Sequence, residues 1–187
     1  MVDTTKKLKI IIYMIFNQKI IKKRMTTELF TEIENFIETD KCDELIKICE
    51  KKNETQLKFD NQFRIKFIDI IIQEMIQKIY NKKIKSILNS DFYINDTFSY
   101  VRYNNDGLVL SHYDKYTHNK AQFTILIYLN DEYDEGETFI FNEHYTKKTT
   151  IPKKIGKCII FDGSKLLHGC NRVKGIKNIL IGSLIKI

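Results

Sequence analysis

Apolar residues are spaced differently in the two halves of the chain, changing character near Ser90. The run LFTEIENFI, residues 29–37, suits a first strand or a helical turn. Thr39-Asp40 then offers an N-cap for a helix over 41–51, whose Leu45, Ile46, Ile48 and Cys49 form one apolar stripe. A polar link over 52–60 leads to a second predicted helix, 61–80, with Phe63, Phe67, Ile70, Ile71 and Met75 at three-to-four spacing.

Beyond Ser90 short β-branched and aromatic runs alternate with turn residues. They predict strands over 97–103, 108–114, 122–130, 137–141, 158–161 and 178–185. Asn104-Asn105-Asp106-Gly107 between the first two is a hairpin signal, and 131–136 is a second polar turn. Two N-terminal helices followed by six to eight short antiparallel strands describe an α+β domain whose β part is a sandwich or jelly roll. No internal repeat or long linker interrupts it.

Composition narrows the class. A chain of 187 residues, 43% hydrophobic and 29% charged, is sized for one globular domain with its own core. The net charge of +7 raises a nucleic-acid partner, but the charge is localised: residues 1–24 hold seven Lys/Arg against one acid. The other 163 residues carry 24 basic and 23 acidic side chains, so the body is close to neutral. The expected organisation is a basic N-terminal extension, 1–24, and a domain over 25–187 with its catalytic core at about 97–187. The apolar run 10–16 in the extension is too short to span a bilayer, so no transmembrane segment is expected. A packed element, a loosely attached arm and a membrane-surface helix remain open for it. The four cysteines form no CxxC pair, and with no clear secretion signal they fit buried thiols in the cytoplasm.

The residues that point to chemistry lie in SHYDKY. His112 and Asp114 are two apart, and on a strand such residues face the same side. An imidazole and a carboxylate projecting together make two thirds of the two-His, one-carboxylate triad that holds non-haem iron with open positions. His-x-Asp alone arises by chance in roughly one such chain in four, so a third ligand must come from elsewhere. His118 and His144 sit among turn residues, whereas His168 follows the predicted strand CIIF. Lys177, nine residues later, opens the last apolar strand, where a cation could anchor a carboxylate in an apolar pocket.

Taken in order, YNNDGLVLSHYD, TILIYLND, EGETFIF and IPKKIGKCIIFDGSKLLHGCNRVKGIKNIL resemble the catalytic core of prolyl 4-hydroxylases and related Fe(II)/2-oxoglutarate-dependent dioxygenases. The likeness spans about 80 residues, and IENFIETDKCDELIKIC resembles the strand and helix that open this domain. The resemblance implies a double-stranded β-helix (jelly-roll, cupin-like) core with the N-terminal helices packed on one sheet. It implies Fe(II) held by His112, Asp114 and His168, with no catalytic side chain beyond these ligands. It also implies 2-oxoglutarate held by Lys177, Tyr128, Tyr103 and Thr138, with O2 as oxidant and ascorbate as an accessory reductant. The expected reaction is hydroxylation of a C–H bond, foremost of a prolyl residue in a peptide or protein.

Two departures stand out. Glu135-Gly136 occupies the place where the family usually shows two glycines, a change expected to alter only a strand bend. The loop after Asp114, KYTHNKAQ, is short and basic where relatives carry a longer substrate lid. Two other readings stay open. One is an oxygenase for a different substrate, such as another amino-acid side chain or an alkylated nucleic acid, the latter disfavoured by the near-neutral body. The other is a jelly roll that binds a partner without catalysis.

Overall fold

The computed structural model describes residues 30–52, 56–59, 61–88, 91–116, 118 and 120–187. The predicted basic extension lies outside them. In chain order the elements are β1 (Phe30–Ile33), α1 (Thr39–Glu50), β2 (Gln56–Phe59), β3 (Gln62–Ile68), α2 (Ile70–Lys83), a single-turn α3 (Lys85–Leu88) and β4 (Phe92–Ile94). There follow β5 (Thr97–Tyr103), β6 (Val109–His112), β7 (Ala121–Tyr128), β8 (Thr138–Phe141), β9 (Lys148–Ile151), β10 (Cys158–Phe161), β11 (His168–Cys170) and β12 (Lys177–Lys186). The major sheet has the order β1-β10-β7-β12-β5-β3-β2, with β4 also on β12; the minor sheet is β6-β11-β8-β9. This is the expected α+β arrangement of helices on a jelly roll.

Period-two alternation on the central strands builds two cores at once. On β7, Ile125 and Ile127 face the helices, while Leu126 and Tyr128 face the minor sheet. On β10, Cys158 and Ile160 go one way and Ile159 and Phe161 the other. The outer core joins these residues to Cys42, Leu45 and Cys49 of α1 and to Ile72, Ile76 and Tyr80 of α2. The inner core lies between the sheets and includes Val101, Ile140, Ile151, Val173 and Ile179.

The predicted helix over 61–80 is half strand. Gln62–Ile68 forms β3, paired along its length with β5, and the helix begins only at Ile70. Phe63 and Phe67 fit helical spacing, but FRIKFI also alternates, and Asp69 settles where one reading ends. The Asp69 side chain accepts a hydrogen bond from the Ile72 amide at 2.9 Å, an N-cap that starts α2. That start also sets the helix phase. Ile72, Ile76 and Tyr80 are buried, whereas Ile70 and Ile71 are exposed. In α1 the cap is Glu38 and Thr39 is already helical, one residue before the expected cap pair.

The turn at Asn104–Gly107 exists but closes no hairpin. β5 belongs to the major sheet and β6 to the minor one, so the turn carries the chain between layers. It is tied instead to the segment before β12, through Asp106 N–H to Val173 O and Val173 N–H to Gly107 O. No helix among the described residues is long and apolar enough to cross a membrane.

Candidate metal centre and its pocket

Strand pairing places the two histidines. His112 closes β6 and His168 opens β11, and the register puts them directly opposite each other with ring centroids 4.4 Å apart. Each Nδ1 sits against the carbonyl oxygen two residues earlier, Leu110 O at 2.9 Å and Leu166 O at 2.8 Å. A carbonyl can only accept, so each Nδ1 carries the hydrogen and each neutral ring keeps its Nε2 lone pair free. Both Nε2 atoms face one Asp114 oxygen, at 3.7 Å from His112 and 3.6 Å from His168. Those separations are too long for hydrogen bonds and suit atoms converging on one ion. The ligand atoms of the three residues all lie within 4.8 Å of one another, and this is the cluster among the described residues able to hold a metal.

Asp114 lies just past the end of β6, and its position is held from β7 and from the loop after β10. Its amide bonds Gly163 O at 2.8 Å, Thr124 donates to its second oxygen, and Tyr116 joins Thr124 and the Gly163 amide into the same network. Gly163 is required there because a Cβ would collide with the Asp114 carboxylate. Burial opposes ionisation of Asp114, but the contacts with His112, His168 and Thr124 outweigh it and hold the carboxyl well below the usual range. The nearby Asp114 carboxylate in turn raises the His112 pKa, against the opposing effect of burial. The edge of the Phe161 ring packs on His168, which is itself buried.

At the start of β12, Lys177 is wholly buried. Its Nζ reaches Gly136 O at 2.8 Å, Thr138 Oγ1 at 3.2 Å and Cys170 Sγ at 3.2 Å. The rings of Tyr103, Tyr128 and Tyr133 surround it, with centroids 5.3, 5.4 and 5.9 Å from the nitrogen. No carboxylate lies within ion-pair distance of Lys177 among the described residues, and burial lowers its pKa. The hydroxyls of Tyr128 and Tyr133 are buried with no hydrogen-bond partner among the described residues. A buried cation beside two unsatisfied hydroxyls is costly unless something anionic completes it. Gly136, whose carbonyl accepts from Lys177, has φ +118°, and a Cβ there would strike Val173. The retained glycine of the Glu135-Gly136 pair is thus the one the backbone needs, while Glu135 is exposed and pairs with Lys174.

A cavity of about 290 Å³ opens between the sheets, lined by His112, Asp114 and His168 together with Tyr103 and Thr138. Lys177 and Tyr128 lie directly behind that lining: Tyr103 is the strand partner of Lys177, and Ile179 of Tyr128. Five of the seven residues singled out in the sequence line this cavity; Lys177 and Tyr128 do not, though Lys177 bonds the lining residues Thr138 and Cys170. His118 and His144 stay exposed in turns away from it. Thr124, Tyr116, Gly163 and Tyr133 escaped sequence reasoning. Thr124 reads as an ordinary strand residue, and Tyr133 sits in what reads only as a polar turn.

Residues 98–182 match the family model of the 2OG-Fe(II) oxygenase superfamily. No curated protein matches the sequence. Among solved structures, the chain is similar to a 2OG-Fe(II) oxygenase family oxidoreductase from Burkholderia pseudomallei, with 10% identity, 84% of each chain covered and a TM-score of 0.69. It is similar to the viral collagen prolyl hydroxylase of Paramecium Bursaria Chlorella virus-1, at 23% identity over 86% of this chain and 97% of that one, TM-score 0.61. A Trichoplax adhaerens prolyl hydroxylase, solved with a hypoxia inducible factor peptide fragment, aligns at 12% identity over 99% and 94% of the two chains, TM-score 0.66. The chain is thus prolyl 4-hydroxylase-like in fold, with the 2OG-Fe(II) oxygenase superfamily match lying over residues 98–182.

Proposed function

We propose that this protein is an Fe(II)- and 2-oxoglutarate-dependent dioxygenase that hydroxylates a prolyl residue of a peptide or protein. The observation that carries the reading is a cavity lined by a two-His, one-carboxylate cluster, with a buried lysine bonded to its lining residues Thr138 and Cys170 and without an acidic partner among the described residues. The residues fit both groups. Two free Nε2 atoms and an ionised carboxylate are a donor set suited to Fe(II), and the Lys177 ammonium beside the Tyr128 and Tyr133 hydroxyls suits a carboxylate. His112, Asp114 and His168 would hold the iron; Lys177, Tyr128, Thr138 and Tyr103 would hold 2-oxoglutarate. When bound, these groups supply the oxidising power, 2-oxoglutarate and O2 giving succinate, CO2 and one oxygen atom for the substrate C–H bond.

The chain's own contribution is placement and shielding. The two Nδ1–H···O=C bonds fix the imidazole orientation, and the Thr124–Tyr116–Gly163 network fixes the carboxylate. Phe161, Leu126 and Ile179 wall the cavity with apolar surface, which keeps water from the reacting centre. Lys177 supplies a fixed positive charge in a low-dielectric setting, where it discriminates strongly for a carboxylate of the right reach. Residues 25–187 form the dioxygenase domain in this reading, with the catalytic core at about 97–187 and 1–24 as an appended basic arm. A peptide substrate is supported by the open cavity and by the peptide-bound Trichoplax relative. Four free, buried cysteines suit a reducing compartment such as the cytoplasm, and ascorbate would maintain the iron in its ferrous state.

The test is succinate release from 2-oxoglutarate by the Fe(II)-loaded protein, with and without proline-containing peptides. Slow uncoupled release that disappears in His112→Ala, and accelerates when a peptide is hydroxylated, is the expected result. No release and no binding of either Fe(II) or 2-oxoglutarate would overturn the reading.

A further inference from the structure

β3 contributes Ile65 and Phe67 to the outer core, so Arg64 and Lys66 point to the opposite face, into the cavity. Arg64 is half-buried and Lys66 exposed. Strand register sets Arg64 beside Val101 and Lys66 beside Ser99. Across the cavity, on the loop after β6, Lys115 joins the lining. Among the described residues, the only acidic side chain lining this cavity is Asp114.

Some surface cations are paired, as in Lys41–Glu44, Lys85–Asp91, Arg102–Glu50 and Lys174–Glu135. Arg64, Lys66 and Lys115 form no ion pair among the described residues. Nor would the bound cofactors neutralise them. The two negative charges of 2-oxoglutarate and the one of Asp114 are matched by the two positive charges of Fe(II) and the one of Lys177. The three cations at the cavity therefore remain uncompensated in the loaded enzyme, on a body that is otherwise near neutral.

We propose that the substrate is an acidic peptide, with a carboxylate side chain near the oxidised residue held by Arg64 and Lys66 and flanked by Lys115. This rests on the oxygenase reading above and names its substrate class. Arg64 and Lys66 line the same cavity as His112, Asp114 and His168, so an acid they hold lies within the span of that cavity from the reacting residue. An extended peptide rises about 3.3 Å per residue, and the long Arg and Lys side chains cover part of the distance. The acid consequently falls within a few residues of the reacting one. Asn95, Thr97, Ser99 and Ser183 add donors and acceptors along the way for the peptide backbone. A nucleic-acid backbone is the less favoured occupant, because residues 25–187 are close to neutral, with 24 basic and 23 acidic side chains.

Fluorescence anisotropy under anoxia, on protein loaded with Fe(II) and 2-oxoglutarate, tests the inference. The probes are three labelled peptides with a central proline flanked at two to four residues by Glu, Ser or Lys, and a single-stranded oligonucleotide. The Glu peptide is expected to bind about tenfold more tightly than the Ser peptide, with the gap shrinking at high salt. In an Arg64→Glu, Lys66→Glu double variant the preference should reverse toward the Lys peptide, an outcome that a simply misfolded variant cannot produce. Equal affinity for the three peptides, no binding of the Glu peptide, or preferred binding of the oligonucleotide would overturn the inference. Fe(II) and 2-oxoglutarate binding by the wild-type protein, measured in parallel, separates the two readings. If both bind but peptide charge makes no difference, only the substrate class fails.

Discussion

The two faces of the major sheet are built from the same strands and do opposite work. Toward the helices, β7, β10 and β12 present Ile125, Ile127, Cys158, Ile160, Leu180 and Leu184 to an almost wholly apolar core. Toward the minor sheet they bury Tyr128 and Lys177, close to Tyr133, Thr138 and His168, and leave two hydroxyls unpaired. The first face gains its free energy from apolar burial alone. The second tolerates a charge and polar atoms left without partners among the described residues, a cost to stability that the proposed carboxylate and metal would offset on binding. Stability and chemistry are thus divided by the strand period, one residue apart.

That division can be broken experimentally, beginning with the metal ligands. Asp114→Ala should lower succinate formation by about a hundredfold or more, through loss of metal that direct metal analysis will show, with only a small change in thermal midpoint. Next is Ile127→Ala on the outer face. It should cost about 2–5 kcal/mol in denaturant unfolding, while the folded fraction keeps its affinity for 2-oxoglutarate. Lys177→Met on the inner face should do the reverse. Affinity for 2-oxoglutarate should fall about 10–100-fold in calorimetry, while the ligand-free protein is as stable as wild type or more so. A Lys177→Met protein destabilised as much as Ile127→Ala would make the inner face an ordinary structural core.

The smallest effect concerns Asp69, far from the site. Asp69→Ala should cost about 1 kcal/mol by removing the α2 N-cap. Burial works against ionisation of Asp69, but the Lys52 contact and the cap bonds prevail, so its folded pKa lies below the usual 3.8. Its contribution is therefore fully present above about pH 4 and lost as the pH falls toward the folded value. Acid titration of stability in wild type and Asp69→Ala checks the sign: the two curves should converge below that range.

Much of this was legible in the sequence because the central strands are β-branched and aromatic runs bounded by turn residues. Thr97–Tyr103 and Cys158–Phe161 have the boundaries their patterns predict. β4, β9 and β11 are three or four residues long, too short for a period to declare itself, and went unread. β3 was read as helix because Phe63 and Phe67 satisfy both periods and only the cap at Asp69 separates them. The cluster of His112, Asp114 and His168 could be anticipated because His-x-Asp spacing has a geometric meaning on a strand and the family resemblance points to His168 among the other histidines. Tyr133, Gly163 and the mouth cations Arg64 and Lys66 could not. Their importance comes from tertiary neighbours that no local pattern encodes.

The central claim is that the triad and the buried lysine serve one bound co-substrate. Calorimetric titration of 2-oxoglutarate under anoxia, with and without Fe(II), into wild type, His112→Ala and Lys177→Met tests it most directly. The account predicts tight binding only when Fe(II) and both residues are present, with binding abolished in His112→Ala and weakened about 10–100-fold in Lys177→Met. Binding that ignores the metal, or that survives undiminished in both variants, would contradict it.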